Sequence, residues 1–171
     1  MNKTDLRIWA KTERSKLDIS GISKKLAKNL INTKEYQQSK NIMVYYPLKN
    51  EVDLRLLFED KTKNFYLPKV KDNELLCCPY KLEDKLYSSC FNTKEPFTEP
   101  IEIQNIDLII IPALACDINN YRLGYGGGDY DRFLSNKKIK AKKIVCIPRE
   151  LIVSTIYPEE FDIPVDKVIT Q

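Results

Sequence analysis

Arg122-Leu123-Gly124-Tyr125-Gly126-Gly127-Gly128-Asp129-Tyr130-Asp131-Arg132-Phe133-Leu134 holds four of the five glycines in a chain of 171 residues; the fifth is Gly21. Glycine is needed where φ must be positive or where another group approaches the backbone closely. Four within five positions therefore mark a loop with a task. Upstream, Asp107-Leu108-Ile109-Ile110-Ile111-Pro112 reads as a buried strand; downstream, Asp129 to Leu134 reads as a helix start. A strand, a glycine loop and a helix N-terminus gather backbone N–H groups around an anion. No G-x-x-x-x-G-K-[ST] is present, and the third glycine of a dinucleotide fingerprint would fall on Asp129. Neither common nucleotide motif applies. Arg122, at the loop entrance, offers a guanidinium fork for phosphate. Asp131, in the first helical turn, is a carboxylate of the kind that holds Mg²⁺ beside phosphate oxygens.

Working outward, residues 3–17 read as a helix with Thr4 as its cap and Leu6, Ile8, Trp9 and Leu17 on its apolar side. Lys3, Arg7 and Lys11 recur at i, i+4 and i+8 and share a face. A second helix is predicted over 20–36, burying Ile22, Leu26, Leu30 and Ile31. Asn41 to Tyr46 is nearly continuously apolar, as expected of a strand covered on both faces. Asn50-Glu51-Val52-Asp53 reads as a cap and an acidic first turn, with Leu54, Leu57 and Phe58 facing the core. A short strand at 65–67 is predicted to end at Pro68-Lys69. Residues 74–80 and 86–91 are weaker, antiparallel candidates, and 92–105 reads mostly as loop. The helix after the glycines runs to about Asn136. Strands close the chain at 143–147 and 165–169. Alternating strands and helices imply an α/β fold, three layers α/β/α around a largely parallel central sheet. Ligands of such sheets bind outside the carboxyl ends of the strands. The loop after Tyr46, the Pro68-Lys69 loop and the glycine loop are all predicted there. Residues 1–171 read as a single domain.

Composition removes several chemistries. There is no histidine, which excludes Ser-His-Asp and Cys-His catalysis and imidazole zinc sites. Cys77, Cys78, Cys90, Cys116 and Cys146 include no C-x-x-C pair and read as reduced core thiols in a cytoplasmic protein. Lys3, Asp5, Arg7 and Lys11 precede any apolar run, so neither a signal peptide nor a membrane span is expected. The net charge of +4 suits anionic small molecules as well as nucleic acid. Lys137 to Lys143 carries five lysines in seven residues, but without interleaved aromatics or arginines it reads as a solvated loop.

Taken together, these segments resemble the 5-formyltetrahydrofolate cyclo-ligase family, also called 5,10-methenyltetrahydrofolate synthetases. The long Arg122–Leu134 motif is the specific part. Lys3-x-x-Leu6-Arg7, Glu51-Val52-Asp53, Leu67-Pro68-Lys69, Glu95-Pro96, Asp107 to Pro112 and Asp162 to Asp166 follow the family order along the whole chain. The resemblance implies a reaction. ATP phosphorylates the formyl oxygen of 5-formyltetrahydrofolate, N10 attacks the activated carbon, and phosphate leaves, giving 5,10-methenyltetrahydrofolate, ADP and phosphate. It also implies roles. Arg122 and Asp131 would be catalytic. Lys3, Arg7, Arg122, Leu123, Gly124, Tyr125, Gly126, Gly127, Gly128, Asp129 and Tyr130 would bind ATP. Tyr46, Glu51 and Tyr125 to Asp129 would bind the folate, and Asp131 and Asp162 would hold Mg²⁺. The implied partners are the folate and ATP, with no nucleic acid and no membrane, and the implied state is a monomer. The stretch from Ile147 to Leu151 fits poorly, since Pro148-Arg149-Glu150 stands where the family tends to have an apolar run and a Gln, and two single positions leave the pattern: Asp129 stands where the family usually has tyrosine, and Phe161 where it has histidine. They motivate an alternative, a diverged, non-catalytic nucleotide- or phosphate-binding protein on the same scaffold.

Overall fold

A computed structural model describes residues 1–89 and 93–171. Helix α1 (Lys3–Ser15) is capped by Asn2, whose side chain accepts the Asp5 N–H while the Asp5 carboxylate accepts the Asn2 N–H. This reciprocal box satisfies two otherwise orphaned donors, so the helix starts at Lys3 as predicted and its cap lies two residues before Thr4, the predicted one. Leu6, Ala10 and Arg14 form its buried stripe and Ile8 is exposed. The predicted second helix is two: α2 (Ile19–Ile31), capped by Asp18, and α3 (Lys34–Gln38). Thr33 makes the break. Its hydroxyl donates to Leu30 O and accepts the Tyr36 N–H, ending one helix and capping the next. Ile31 turns outward, and Ser23 and Ala27 are buried with Leu26 and Leu30.

The central sheet comprises β1 (Asn41–Met43), β2 (Asn64–Lys71), β3 (Glu74–Tyr80), β6 (Leu108–Ile110), β9 (Lys142–Cys146) and β11 (Lys167–Ile169) in the order β11-β9-β6-β1-β2-β3. Every neighbouring pair is parallel except β2 with β3. The remaining strands form two small sheets. β4 (Leu86–Ser88) pairs antiparallel with β5 (Lys94–Pro96). β7 (Ala115–Asp117) lies between β8 (Arg122–Leu123) and β10 (Ile152–Val153).

The strand period of two explains the layers. Ile42, Leu108, Ile110, Ile144 and Cys146 pack with Leu26, Leu30 and Tyr36 of α2 and α3. Met43, Ile109, Ile111, Val145 and Ile147 pack with Leu6 and Ala10 of α1 and Leu134 of α4 (Asp129–Leu134). Both faces are covered, which is why these strands read as unbroken apolar runs. The three-layer, largely parallel α/β fold is as predicted.

Several local expectations change. β2 does not end at Pro68. Beyond its three residues paired to β1 its one ladder partner among the described residues is β3, Pro68 opposite Cys77, and such an edge tolerates a proline. The 92–105 segment contains β5 and a 3₁₀ turn at Ile103–Asn105. The strand foreseen over 86–91 is β4; Cys90 and Phe91 lie outside the described residues. Asn50 caps no helix. It sits at φ 66° in a tight turn closed by Glu51 N–H to Leu48 O, and a 3₁₀ helix begins only at Arg55. The strand feeding the glycine loop is β8, because the β7–β8 hairpin intervenes after Pro112. Among the described residues, no helix is long and apolar enough to cross a membrane. Cys77, Cys78, Cys116 and Cys146 are free and buried, and burial pushes the Cys116 and Cys146 thiols up to about 12.

Candidate active site

At the carboxyl ends of the sheet strands lies a cavity of about 1030 Å³. α1, the loop after Tyr46, the glycine loop and the 157–162 segment all open onto it. Every residue proposed from the sequence lines this one cavity: Lys3, Arg7, Tyr46, Glu51, the run Arg122 to Asp131, and Asp162.

The glycine loop is held by side chains rather than by helix geometry. Gly126 (φ 111°) and Gly128 (φ 73°) occupy backbone regions that glycine adopts without strain. Arg7 Nε donates to Gly124 O at 2.9 Å, tying α1 to the start of the loop. Arg132 Nη1 donates to Gly127 O at 2.7 Å and its Nη2 to Asp129 Oδ1 at 2.6 Å. The carboxylate that departs from the family pattern thus has a local guanidinium partner.

Arg122 is only 6% exposed. Its Nη1 donates to Pro112 O at 3.0 Å, Asp131 Oδ2 stands 4.0 Å from its Nη2, and its guanidinium lies over the Tyr130 ring. Burial lowers its pKa, a trend opposed by Asp131 and Asp162 among others. Its Nε, also buried, has no hydrogen-bond partner among the described residues. Asp131 Oδ1 accepts the Ile163 N–H, which brings the first turn of α4 against the residue following Asp162. Asp162 accepts from Lys3 Nζ at 2.5 Å and from the Glu159 N–H at 2.7 Å. Although burial acts to lower it, the Lys3 pKa is raised by the hydrogen bonds from its ammonium to Asp162 and Glu159.

Across the cavity, Glu51 is 6% exposed. Its carboxylate accepts the Leu48 N–H at 2.6 Å. Burial raises its pKa, while the Leu48 N–H, the Tyr125 hydroxyl and the charge of Arg14 act to lower it. Tyr46 borders the cavity with its hydroxyl accepting from Arg55. Sequence reasoning assigned no role to two further carboxylates on the lining, Glu159 and Glu95. Glu95 is 3% exposed and accepts from the Val70 N–H and the Tyr87 hydroxyl. Glu95-Pro96 was visible as part of the family order, but nothing in its spacing placed it here.

The lining carries Lys3, Arg7 and Arg122 against Glu51, Glu95, Asp129, Asp131, Glu159 and Asp162. Carboxylates outnumber cations, so a polyanion entering this cavity needs a further positive charge beside it. Asp131 and Asp162 fit that need. Mg²⁺ is ordinarily held by one or two carboxylates together with phosphate oxygens. Among the described residues there is no cluster of three or more candidate metal ligands. The Lys137 to Lys143 run is absent from the lining.

Comparison with known proteins shows the family and the fold. The model of the 5-formyltetrahydrofolate cyclo-ligase family matches residues 3–171. A 5-formyltetrahydrofolate cyclo-ligase of Mycoplasma genitalium is 35% identical, over 77% of this chain and 71% of its own. One from Haemophilus influenzae is 27% identical, over 84% and 82%. The NMR structure of the Aquifex aeolicus 5,10-methenyltetrahydrofolate synthetase superposes with a TM-score of 0.87 at 34% identity, covering 99% of this chain and 90% of that one.

Proposed function

The chain belongs to the 5-formyltetrahydrofolate cyclo-ligase family, and from that premise we propose that it converts 5-formyltetrahydrofolate and ATP to 5,10-methenyltetrahydrofolate, ADP and phosphate. The formyl oxygen attacks the γ-phosphorus of ATP and the bond to ADP breaks. N10 then adds to the activated carbon and loses its proton, and the C–O bond to phosphate breaks. The observation that carries this reading is the convergence of a phosphate-side set and a folate-side set on one cavity.

On the phosphate side, Arg122, Lys3 and the Nη groups of Arg7 present positive charge beside the glycine loop. Phosphoryl transfer is governed by positioning and by charge stabilisation, and Arg122 is held in place for both by Pro112 O and the Tyr130 ring. When bound with ATP, Mg²⁺ would be held by Asp131 and Asp162 and would supply charge neutralisation on the phosphate oxygens. On the folate side, the buried Glu51 carboxylate is an acceptor for the N–H edge of a pterin, and Tyr46 and Tyr125 border the same space. No histidine is required, because the carbonyl is activated by phosphorylation. The paired state of Asp129 speaks for a working phosphate site rather than a diverged one, since Arg132 takes up the extra charge.

The test is the rise in methenyltetrahydrofolate absorbance when folded protein, ATP, Mg²⁺ and 5-formyltetrahydrofolate are mixed. Turnover dependent on all three additions is expected. Its absence at high protein concentration overturns the proposal.

A further inference from the structure

Arg14 is the most unusual side chain outside the cavity lining. It sits on α1 seven residues after Arg7, is 4% exposed, and has no carboxylate within ion-pair distance among the described residues. Its guanidinium donates to three backbone oxygens. Nη2 reaches Ala113 O at 2.6 Å and Leu114 O at 3.1 Å, and Nη1 reaches Asn50 O at 3.3 Å. Its Nε is buried without a hydrogen-bond partner among the described residues. Isolating a charge from water costs far more than three carbonyl hydrogen bonds require. A core that needed only to join α1 to two loops would do so more cheaply with apolar contacts.

The location of these carbonyls suggests what the charge does. Asn50 holds a positive φ and immediately precedes Glu51. The Glu51 carboxylate folds back to the Leu48 N–H and so closes the same turn. The titratable groups facing Glu51 are Arg14 from α1, Tyr125 from the glycine loop, Tyr45 from the extension of β1 and Tyr130 from α4. The three tyrosines are neutral near pH 7, leaving Arg14 as the cation of this set. On this basis we propose that Arg14 is a positioning residue for the folate side of the site: it fixes the Asn50–Glu51 turn through Asn50 O and sets its buried positive charge on the side of the Glu51 carboxylate that is to accept hydrogen bonds from the substrate. The inference rests on the reading of Glu51 as a folate contact for its consequence in turnover, but not for its electrostatics.

The experiment therefore follows both. Protein with ¹³C-labelled glutamate is titrated by NMR, with the Glu51 Cδ signal identified by its absence in Glu51→Gln. In Arg14→Met the Glu51 midpoint is expected to rise relative to wild type, because the favourable charge is gone. In Arg14→Lys, which keeps the charge and loses the fork, it is expected to stay near the wild-type value. A midpoint unmoved in Arg14→Met, or moved equally in both variants, overturns the proposal. Should Arg14→Met fail to fold, the Arg14 Nε signal, identified by its loss in Arg14→Lys, is followed against pH. It should titrate with Glu51 in wild type and lose that step in Glu51→Gln; retention of the step overturns the proposal. In turnover, Arg14→Met is expected to raise the 5-formyltetrahydrofolate KM about tenfold, roughly one charged hydrogen bond. The Arg14→Met/Glu51→Gln pair should be no worse than Glu51→Gln alone, and additive losses overturn the link. If the NMR result holds and the wild type turns over no folate, the reading of the reaction fails and the positioning role stands.

Discussion

Replacing Arg122 by methionine separates function from stability. The side chain it removes is buried, donates to Pro112 O at 3.0 Å, and stands 4.0 Å from the Asp131 carboxylate. Two unit charges at that distance attract by about 4 kcal/mol at an effective dielectric near 20, but the fold spends much of that in desolvating the guanidinium. The direction of the Arg122 pKa, lowered by burial, reports the same conflict. Arg122→Met relieves the desolvation, forfeits the attraction and leaves one carbonyl short of a donor, a loss of about 1–3 kcal/mol. These terms oppose one another, so the melting temperature of the free protein is expected to move by less than about 5 °C, at roughly 2–4 °C per kcal/mol. Turnover has no such offset. Loss of one charged hydrogen bond to phosphate costs about 1.5–3 kcal/mol, and Asp131 is left facing ATP without its neighbour. kcat/KM for ATP is expected to fall about 100-fold. Arg122→Lys keeps the charge but lacks the fork and the stacking on Tyr130, and about a tenfold loss is expected. The assay is methenyltetrahydrofolate formation under varied ATP, beside thermal unfolding of the same preparations. An Arg122→Met enzyme within threefold of wild type, or a loss of activity that simply follows unfolding, refutes the reasoning.

The Asp129–Arg132 pair makes a second prediction. Because Arg132 holds both the Asp129 carboxylate and Gly127 O, Asp129→Tyr should change the ATP KM by less than about threefold. Arg132→Ala frees the negative charge and should raise that KM about fivefold, the upper range for an exposed pair, and the double variant should recover most of the loss. Steady-state kinetics over the four proteins decides it, and a large effect of Asp129→Tyr alone contradicts it. For the carboxylates, Asp131→Asn and Asp162→Asn are each expected to raise the Mg²⁺ concentration for half-maximal rate about tenfold or more. Chelation of Mg²⁺ should stop turnover reversibly. An unchanged Mg²⁺ dependence in both variants removes them as ligands.

The sheet and its layers were legible because its strands are unbroken apolar runs that cannot be mistaken for anything exposed: Ile42 to Tyr45, Leu108 to Ile111, Ile144 to Ile147. The lining residues were legible because the family order quotes them one by one. What stayed hidden follows from three kinds of physics. Thr33 and Asn50 are decided by side-chain-to-backbone hydrogen bonds and a left-handed residue, and composition windows average over such single events. The β7–β8 hairpin lies between Pro112 and the glycines, so a strand that seems adjacent in sequence is not the one feeding the loop. Glu95 and Arg14 escaped for a third reason. Their partners, Tyr87 and Val70, or Ala113, Leu114 and Asn50, come from elements whose juxtaposition only the tertiary fold creates.

α1 ties both halves of the cavity to one rigid element. Lys3 engages Asp162, Arg7 engages Gly124 O, and Arg14 engages Asn50 O along with Ala113 and Leu114 O. Their spacings of four and seven residues keep the three side chains near one face of the helix. Arg122 holds Pro112 O, so two buried arginines grip three consecutive carbonyls. The proposed phosphate and folate sides are thereby referred to the same stretch of backbone, Pro112 to Leu114, at the exit of the central strand β6. A phosphoryl transfer between two bound substrates depends on their separation more than on any single contact, since misplacement by an ångström removes much of the advantage of proximity. Burying two guanidinium groups is a poor way to stabilise a fold. It is an effective way to fix a distance, because a fork bonded to main-chain oxygens cannot slide as an apolar contact can.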